Sequence, residues 1–250
     1  MQGLALWPAL QGELALPNGD YLLLALRGER YTGGDARPGC PLGFNVRRAQ
    51  LAYEHFAGAA WSYGATMQLA GGGGTVVIPA VLLRHRSPAF RGITFGQRLS
   101  LEHSFGGNGF MPLGSGPGGQ TWARLRVDLE KLLPLGNDAA TGLALRPRLS
   151  YEASTHLRFQ KADADPDERT IQYTSLRGEV GVRLSPRFDF TPWFAYQTGY
   201  LLGLPQYDKN GLQVDGGRAN QVFPTLGLEA RFTLLPAGTK ADRQQLPTQH

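Results

Sequence analysis

The sequence of 250 residues contains very little cysteine and very little lysine. Its single cysteine, Cys40, cannot form an intrachain disulfide, and the spacing of its Cys and His residues matches no zinc site. Only 4 of the 25 basic residues are lysines, so the net charge of +5 rests on arginine. These arginines are interleaved with acidic residues and no basic helix is present, which argues against nucleic-acid binding. The composition therefore excludes a disulfide scaffold, a zinc finger and a nucleic-acid binder.

The sequence also lacks a continuous apolar run suited to a membrane-spanning helix. Residues 56–83 carry no charge and exceed the roughly 20 apolar residues that such a helix needs. However, the glycines at 71–74 and Pro79 would each penalise a helix, by ~1 kcal/mol per Gly and ~3 kcal/mol per Pro. We interpret this segment as two strands joined by a glycine turn. No basic stretch follows Met1 and residues 2–16 are not continuously apolar, so we expect no secretory signal here; either one was removed or the protein is cytosolic.

Apolar and polar residues alternate with a period of two along almost the whole chain, which predicts β-strands. Within residues 143–159, for example, Leu145 and Leu149 lie on one face and Arg146 and Arg148 on the other. Eleven such runs are present, at residues 4–16, 21–31, 45–56, 59–70, 75–86, 92–105, 121–133, 141–159, 169–185, 188–201 and 219–234. The chain's 34 glycines belong to the connections and to crowded strand positions.

The connections between these runs differ in length in a regular way. Short turns are predicted at residues 17–20, 57–58, 87–91, 134–140 and 186–187, and mostly longer segments at 32–44, 106–120, 160–168 and 202–218. One end of the sheet should therefore carry tight turns and the other end loops. Bacterial outer-membrane barrels show this asymmetry, with turns in the periplasm and loops outside.

Alternation alone does not say whether the apolar face points into a core or into lipid. Three features favour a transmembrane barrel. The runs are longer than the usual 5 or 6 residues of globular strands, arginine suits crowded pairing on the polar face, and aromatic residues such as Trp61, Phe105 and Phe232 collect near strand ends. Eleven antiparallel strands would leave the first and last parallel, whereas bacterial single-chain barrels have even numbers, so ten or twelve are expected.

We predict an all-β fold, an antiparallel transmembrane-type β-barrel of 10 to 12 strands with short periplasmic turns and long outer loops. Residues 1–235 should form this single domain, and residues 236–250 a polar, disordered tail. No cofactor and no metal site are expected.

The strand arrangement resembles an uncharacterised family of outer-membrane-like barrels, known only as a domain of unknown function. The likeness spans residues 7–234 and rests on Trp7, on the Arg-x-x-x-Glu segment of Arg98, Leu99, Leu101, Glu102 and Phe105, on Arg124, Leu125 and Arg126, and on a strand ending in Gly199 and Tyr200. The family carries more arginines in that segment, where this chain has Ser100 and Ser104. The last strand is similar to the bacterial barrel-assembly signal at Thr225, Gly227, Ala230 and Phe232. The resemblance implies a barrel and carries no catalytic residue.

The charged face is the most informative candidate site. If opposite charges are placed opposite each other, since such pairs contribute ~0.2 to 1 kcal/mol, two rows result: Glu102, Arg124, Glu152 and Arg98, Asp128, Arg148. Glu130 then faces Arg146. The predicted network comprises Arg98, Glu102, Arg124, Arg126, Asp128, Glu130, Arg146, Arg148, Glu152, Arg177 and Glu179. It would either select solutes in a constriction or fill a narrow barrel with salt bridges, and the second reading is favoured.

Other constellations are weaker. Glu152, Ser154 and His156 share a face and could form an acid, Ser and His set, although one polar lumen residue among many is the simpler reading. Asp163, Asp165 and Asp167 have the spacing that opens a calcium loop, but Glu168 and Thr174 stand where Gly and Glu are required. Residues 71–74 lack the Lys-Ser/Thr ending of a phosphate loop. We therefore expect no catalytic, cofactor or metal residues.

Three hypotheses follow. The first is an outer-membrane barrel of a Gram-negative bacterium, structural or a narrow pore, whose partners are outer-membrane lipid and, for a pore, small solutes. The second is a lipid hydrolase on the same barrel. The third is a soluble barrel or sandwich that binds an apolar ligand and places Leu101 and Leu149 inside. The first is the prediction, and no enzyme activity is expected.

Overall fold

The computed structural model describes residues 3–32, 43–72, 74–106, 119–135, 143–158 and 169–236. This part of the chain is built from β-strands. They are β1 (Ala5–Ala15), β2 (Tyr21–Tyr31), β3 (Val46–Phe56), β4 (Trp61–Gly71), β5 (Thr75–Pro88), β6 (Ile93–Ser104), β7 (Gln120–Lys131), β8 (Leu133–Pro134), β9 (Ala144–Leu157), β10 (Tyr173–Ser185), β11 (Phe188–Tyr207) and β12 (Gln213–Leu234). Within the described ranges, no helix has the length and apolar character needed to cross a membrane.

The strands form one closed β-barrel, which confirms the predicted fold. Consecutive long strands pair in antiparallel fashion, and β1 closes the barrel by pairing in parallel with β12, from Ala5 opposite Thr225 to Leu14 opposite Leu234. The short β8 lies outside this circle and lengthens the β7–β9 hairpin. The barrel thus has eleven strands rather than ten or twelve. An odd number of alternating strands brings the first and last together in the same direction, so the closing pair must be parallel.

The predicted runs agree with the observed strands except near residues 202–218, which were expected to be a loop. There β11 continues to Tyr207 and β12 begins at Gln213, so the two form a long hairpin around Asp208–Leu212. Its register shifts between Gly203 and Gln206, and Gly216 and Gly217 have positive φ. The same glycines and polar residues that suggested a loop serve here as an irregularity within paired strands.

The two faces of the barrel wall have inverted polarity compared with a water-soluble domain. Charged residues such as Glu13, Arg84 and Glu179 are buried, whereas Leu101 and Leu149 on the other face are 44% and 54% exposed. The apolar face therefore points outwards and the polar face inwards. The placement of Leu101 and Leu149 inside, expected of a ligand-binding barrel, is wrong.

Two tryptophans pack across the parallel junction, which we call the seam (β1 with β12). Trp7 on β1 and Trp193 on β11 both lie opposite Gly227 of β12, and their rings meet edge to face with centroids 5.9 Å apart. A Cβ atom at Gly227 would lie 1.9 Å from the Trp193 ring. The guanidinium of Arg27 lies 4.7 Å from the Trp7 ring centroid, and that of Arg177 lies 4.0 Å from the Trp193 centroid. Gly227 is thus the position that lets both rings cover the seam.

Replacing Gly227 should open this packing. We expect Gly227→Val to lower the free energy of unfolding by about 3 kcal/mol or more, because overpacking costs 1 to 3 kcal/mol and the Trp193 ring cannot stay in place. Denaturant unfolding followed by circular dichroism measures the effect. Gly178→Val is the matched control, since a Cβ there meets nothing within 4 Å. Equal stability of the two variants would contradict this account of the seam.

Candidate functional site

Within the described part of the chain, the candidate site is the charged interior, to which every barrel strand except β4 contributes a charged side chain. Twelve arginines point inwards: Arg27, Arg48, Arg84, Arg86, Arg98, Arg124, Arg126, Arg146, Arg148, Arg177, Arg183 and Arg231. Ten acids share that face: Glu13, Glu29, Glu54, Glu102, Asp128, Glu130, Glu152, Glu179, Asp189 and Glu229. The interior is therefore nearly balanced, with two positive charges in excess. All eleven residues of the sequence-predicted network lie on this inward face.

One chain of ion pairs runs from β9 towards the seam. Arg148 donates to Glu179, whose other oxygen lies 2.7 Å from Arg177 Nε in an ion pair. Arg177 Nη2 also donates to Glu229 Oε1 at 2.8 Å, and Gln11 donates to the second Glu229 oxygen. The side chains of Arg148 and Glu179 are completely inaccessible to water. Burying a charge is costly unless it is paired, so these groups depend on one another.

A second group joins β6, β7 and β9. Arg124 donates to both Glu102 oxygens, at 3.0 and 3.1 Å, and its Nη1 donates to Glu152 Oε1 at 2.7 Å. Arg98 Nη2 donates to the remaining Glu152 oxygen at 2.9 Å. The first predicted row, Glu102, Arg124 and Glu152, is thus a set of direct contacts. Arg126 donates to Ser150 instead, at 3.1 Å.

The predicted strand registers that led to these rows are wrong by two residues. Arg98 lies opposite Arg126, not Asp128, and Glu102 lies opposite Trp122. On the other side of β7, Asp128 faces Ser150 and Glu130 faces Arg148. A shift of two keeps every side chain on its predicted face, and diagonal neighbours remain within reach of long side chains. Arg124 therefore reaches both its glutamates diagonally.

The second row, Arg98, Asp128 and Arg148, does not form as predicted. Arg98 and Arg148 bind Glu152 and Glu179, while the Asp128 carboxylate lies over Gly96, where a Cβ atom would sit 2.1 Å from Oδ2. Arg146 and Glu130, predicted to face each other, approach to 3.7 Å without occupying the same register position.

Sequence reasoning missed the charges on the remaining strands. Glu29 accepts from Arg48 at 2.5 Å and lies 3.0 Å from Arg27. Glu54 accepts from Arg84 at 2.8 Å and from Ser62 at 2.5 Å. Further inward ion pairs join Arg86 to Glu130, Arg231 to Glu13 and Arg183 to Asp189. The period-two alternation that located the predicted network continues along these strands and would have identified them.

Side chains fill most of the barrel. Every barrel strand contributes at least one inward residue that is less than one-tenth exposed: Glu13, Leu23, Glu54, Ser62, Arg84, Arg98, Asp128, Arg148, Glu179, Thr191 and Thr233. A cavity of about 170 Å³ remains, bounded by Trp7, Trp122 and Trp193 together with arginines and Glu152. It is large enough for several water molecules. Among the residues described, side chains therefore occupy most of the lumen and leave a partly open cavity.

The described contacts of Glu152 and His156 differ from those of a catalytic triad. Both carboxylate oxygens of Glu152 accept hydrogen bonds from guanidinium groups. The His156 ring stacks on the Trp122 indole, with centroids 5.2 Å apart and an interplanar angle of 29°. A triad requires the acid to orient the histidine and the histidine to reach the serine. Here the acid is engaged by Arg98 and Arg124.

The remaining sequence prediction concerns a calcium loop. Asp163, Asp165, Asp167 and Glu168 lie outside the described residues. Among the residues described, no group of three or more His, Cys, Asp or Glu side chains could hold a metal ion.

No protein-family model matches the chain, and no curated protein matches it either. The resemblance to an uncharacterised barrel family therefore stays a prediction.

One polar cluster lies at the end of the barrel with the short turns, which we call the turn end. Asp20, in the β1–β2 turn, accepts hydrogen bonds from Tyr53 Oη at 2.5 Å and Asn18 Nδ2 at 2.7 Å, and His55 Nδ1 lies 2.9 Å from Oδ1. Its own burial would raise the pKa of Asp20, but these hydrogen bonds and that from the Phe56 amide favour the carboxylate. The net effect is a pKa below the ordinary value of 3.8.

Replacing a fully buried acid of the interior should lower the free energy of unfolding more than replacing a partly buried one. We expect Glu179→Gln to cost about 3 to 5 kcal/mol of unfolding free energy, because it leaves Arg148 and Arg177 buried beside a neutral amide. Glu102→Gln should cost about 1 kcal/mol, since Glu102 is partly accessible and Arg124 keeps Glu152. Denaturant unfolding of both variants measures the difference. A larger loss for Glu102→Gln would contradict it.

The lowered pKa of Asp20 predicts a specific acid sensitivity. Its contribution to stability is fully present above the unfolded pKa of about 3.9 and is lost as the pH falls through the lower folded pKa. The difference in unfolding free energy between wild type and Asp20→Asn should therefore shrink below about pH 4. Tyr53→Phe, which removes one of the hydrogen bonds, should show a smaller change over the same range. A difference that is independent of pH would refute the assignment.

Proposed function

We propose that this chain is an outer-membrane β-barrel of a Gram-negative bacterium with a structural role and a closed lumen. The observation that carries the proposal is the apolar belt around the barrel. Every barrel strand presents a large apolar side chain that is more than one-third exposed: Leu10, Leu24, Leu51, Met67, Val81, Leu99, Leu125, Leu149, Leu176, Phe194 and Leu228. A protein partner would cover one side of such a belt, whereas lipid surrounds it completely.

The aromatic residues support the same placement. Exposed Trp61 and Tyr63 lie near the turn end, and Phe105 lies at the opposite end, which we call the loop end. Aromatic side chains of this kind form girdles at the two membrane interfaces of outer-membrane barrels. The short turns would then face the periplasm and the long connections the exterior.

A structural role is favoured over a pore because the interior is filled. Eleven of the twelve inward arginines lie within 4 Å of a carboxylate, and Arg126 donates to Ser150. An open, water-filled channel would leave such groups solvated instead. A narrow pore is the second candidate, and the arginine-lined cavity is the observation that favours it. A lipid hydrolase receives less support, since Glu152 is held by arginines.

Detergent folding and conductance test the proposal together. In detergent the chain should fold, and its migration in gel electrophoresis should change on heating; in plain buffer it should aggregate. Reconstituted in planar bilayers, it should show no steady single-channel conductance. A monomeric, β-rich chain in plain buffer would exclude the membrane placement. Steady conductance that changes in Arg124→Ala would replace the structural role by a pore, because Arg124 borders the cavity.

A further inference from the structure

The outer wall of the barrel carries a groove of about 760 Å³ that crosses β1 to β5 near the loop end. Leu10, Leu26 and Leu69 form apolar walls, and Gly28 and Ala49 lie between them. The strand registers explain the depression. Ala49 is paired with both Leu26 and Leu69, so a small side chain separates two large ones on neighbouring strands. The groove is therefore a fixed feature of the wall.

Phe44 closes the groove on the side of the loop end. Its ring covers Gly28, where a Cβ atom would lie 2.6 Å from the ring carbons. A larger residue at position 28 would displace the ring. The groove thus has an apolar floor, apolar sides and an aromatic side chain at the edge nearest the loop end.

Two arginines lie at this edge of the groove. Arg47 lines the groove and lies opposite both Gly28 and Gly71. Arg30 follows Gly28 by two residues on the same outward face, and its guanidinium lies beside Gly43, next to Phe44. Both side chains are exposed. Neither forms an ion pair with a carboxylate of the described residues, in contrast to the arginines of the interior.

We propose that this groove binds a phosphate-bearing lipid, with an acyl chain along the apolar floor and the phosphate on Arg47 and Arg30. The inference rests on the proposed membrane placement and adds a specific ligand to it. Guanidinium groups bind phosphate through paired, charge-assisted hydrogen bonds. An apolar groove that ends in two cations at the membrane surface is complementary to both parts of such a lipid.

A second outer groove provides a contrast on the same molecule. It measures about 660 Å³ and crosses β2 to β7, with Leu51, Met67, Val81 and Leu101 in its walls. Its described lining includes no Arg or Lys. This groove could accommodate acyl chains as any apolar surface does, but His103 is its one basic lining residue and it offers no guanidinium or ammonium group to a phosphate. The proposed selectivity therefore belongs to the first groove.

The test uses the folded, detergent-solubilised protein and native mass spectrometry. The probes are diphosphoryl lipid A, its dephosphorylated counterpart with the same acyl chains, and inorganic phosphate as competitor. We expect the phosphorylated lipid to bind preferentially. Arg47→Gln and Arg30→Gln should each weaken binding by about tenfold, as the loss of a charge-assisted hydrogen bond predicts. Arg218→Gln, an exposed arginine elsewhere near the loop end, should leave binding unchanged.

Ala49→Phe tests the contribution of the groove to lipid binding separately from that of the charges, because it fills the groove floor without altering either arginine. It should weaken binding of lipid A, and inorganic phosphate should compete poorly. The proposal falls if both lipids bind equally, if Arg218→Gln weakens binding as much as Arg47→Gln, or if phosphate alone displaces the lipid fully. Each variant is first checked for heat-dependent migration, so loss of the barrel is distinguished from loss of the groove. A chain that folds in plain buffer would instead overturn the membrane placement itself.

Discussion

Pairing of buried charges inside a closed wall is the constraint on which the rest of this structure depends. The barrel encloses 22 described inward ionisable side chains, of which 18 are buried. Each buried charge must find a partner within the available space. Arginine suits this better than lysine because its planar guanidinium can bind two acids at once, as Arg124 and Arg177 do. The scarcity of lysine in the sequence is a consequence of this requirement.

The same constraint explains why the registers tolerate imperfect opposition of charge. Directly opposite positions carry like charges at Arg98 and Arg126, yet Arg98 reaches across β7 to Glu152. Because long side chains can form ion pairs without lying directly opposite each other, the ion pairs do not fix the register. The backbone hydrogen bonds and the turns determine it instead. The seam imposes a stricter rule, because Gly227 must stay small for Trp7 and Trp193 to meet.

Period-two alternation was sufficient to predict the strands and the division of their side chains into two faces, since it depends only on neighbours in sequence. The inward position of the charged face was predicted from strand length, arginine content and the aromatic residues near strand ends. Features set by contacts between distant segments were beyond it. The registers of β7 require knowing that charges pair diagonally. The eleven runs did imply parallel first and last strands, but the even strand numbers of bacterial barrels favoured ten or twelve. The β11–β12 hairpin was missed because Gly216 and Gly217 suggest a loop, although they form an irregularity within paired strands.

Under the proposed structural role with a closed lumen, specific recognition by this protein would lie on its outer surface. If the lumen passes no solute, the remaining surfaces on which sequence could encode specificity are the loop end and the apolar belt. If the belt faces lipid, as proposed, most of its residues are interchangeable, because lipid chains select for hydrophobicity more than for shape. Arg30 and Arg47 depart from that pattern, since they place positive charge at the edge of an apolar groove and neither pairs with an acid among the described residues. The inward arginines are matched with acids of the chain itself, and the phosphate of the proposed lipid would take the corresponding place beside Arg30 and Arg47.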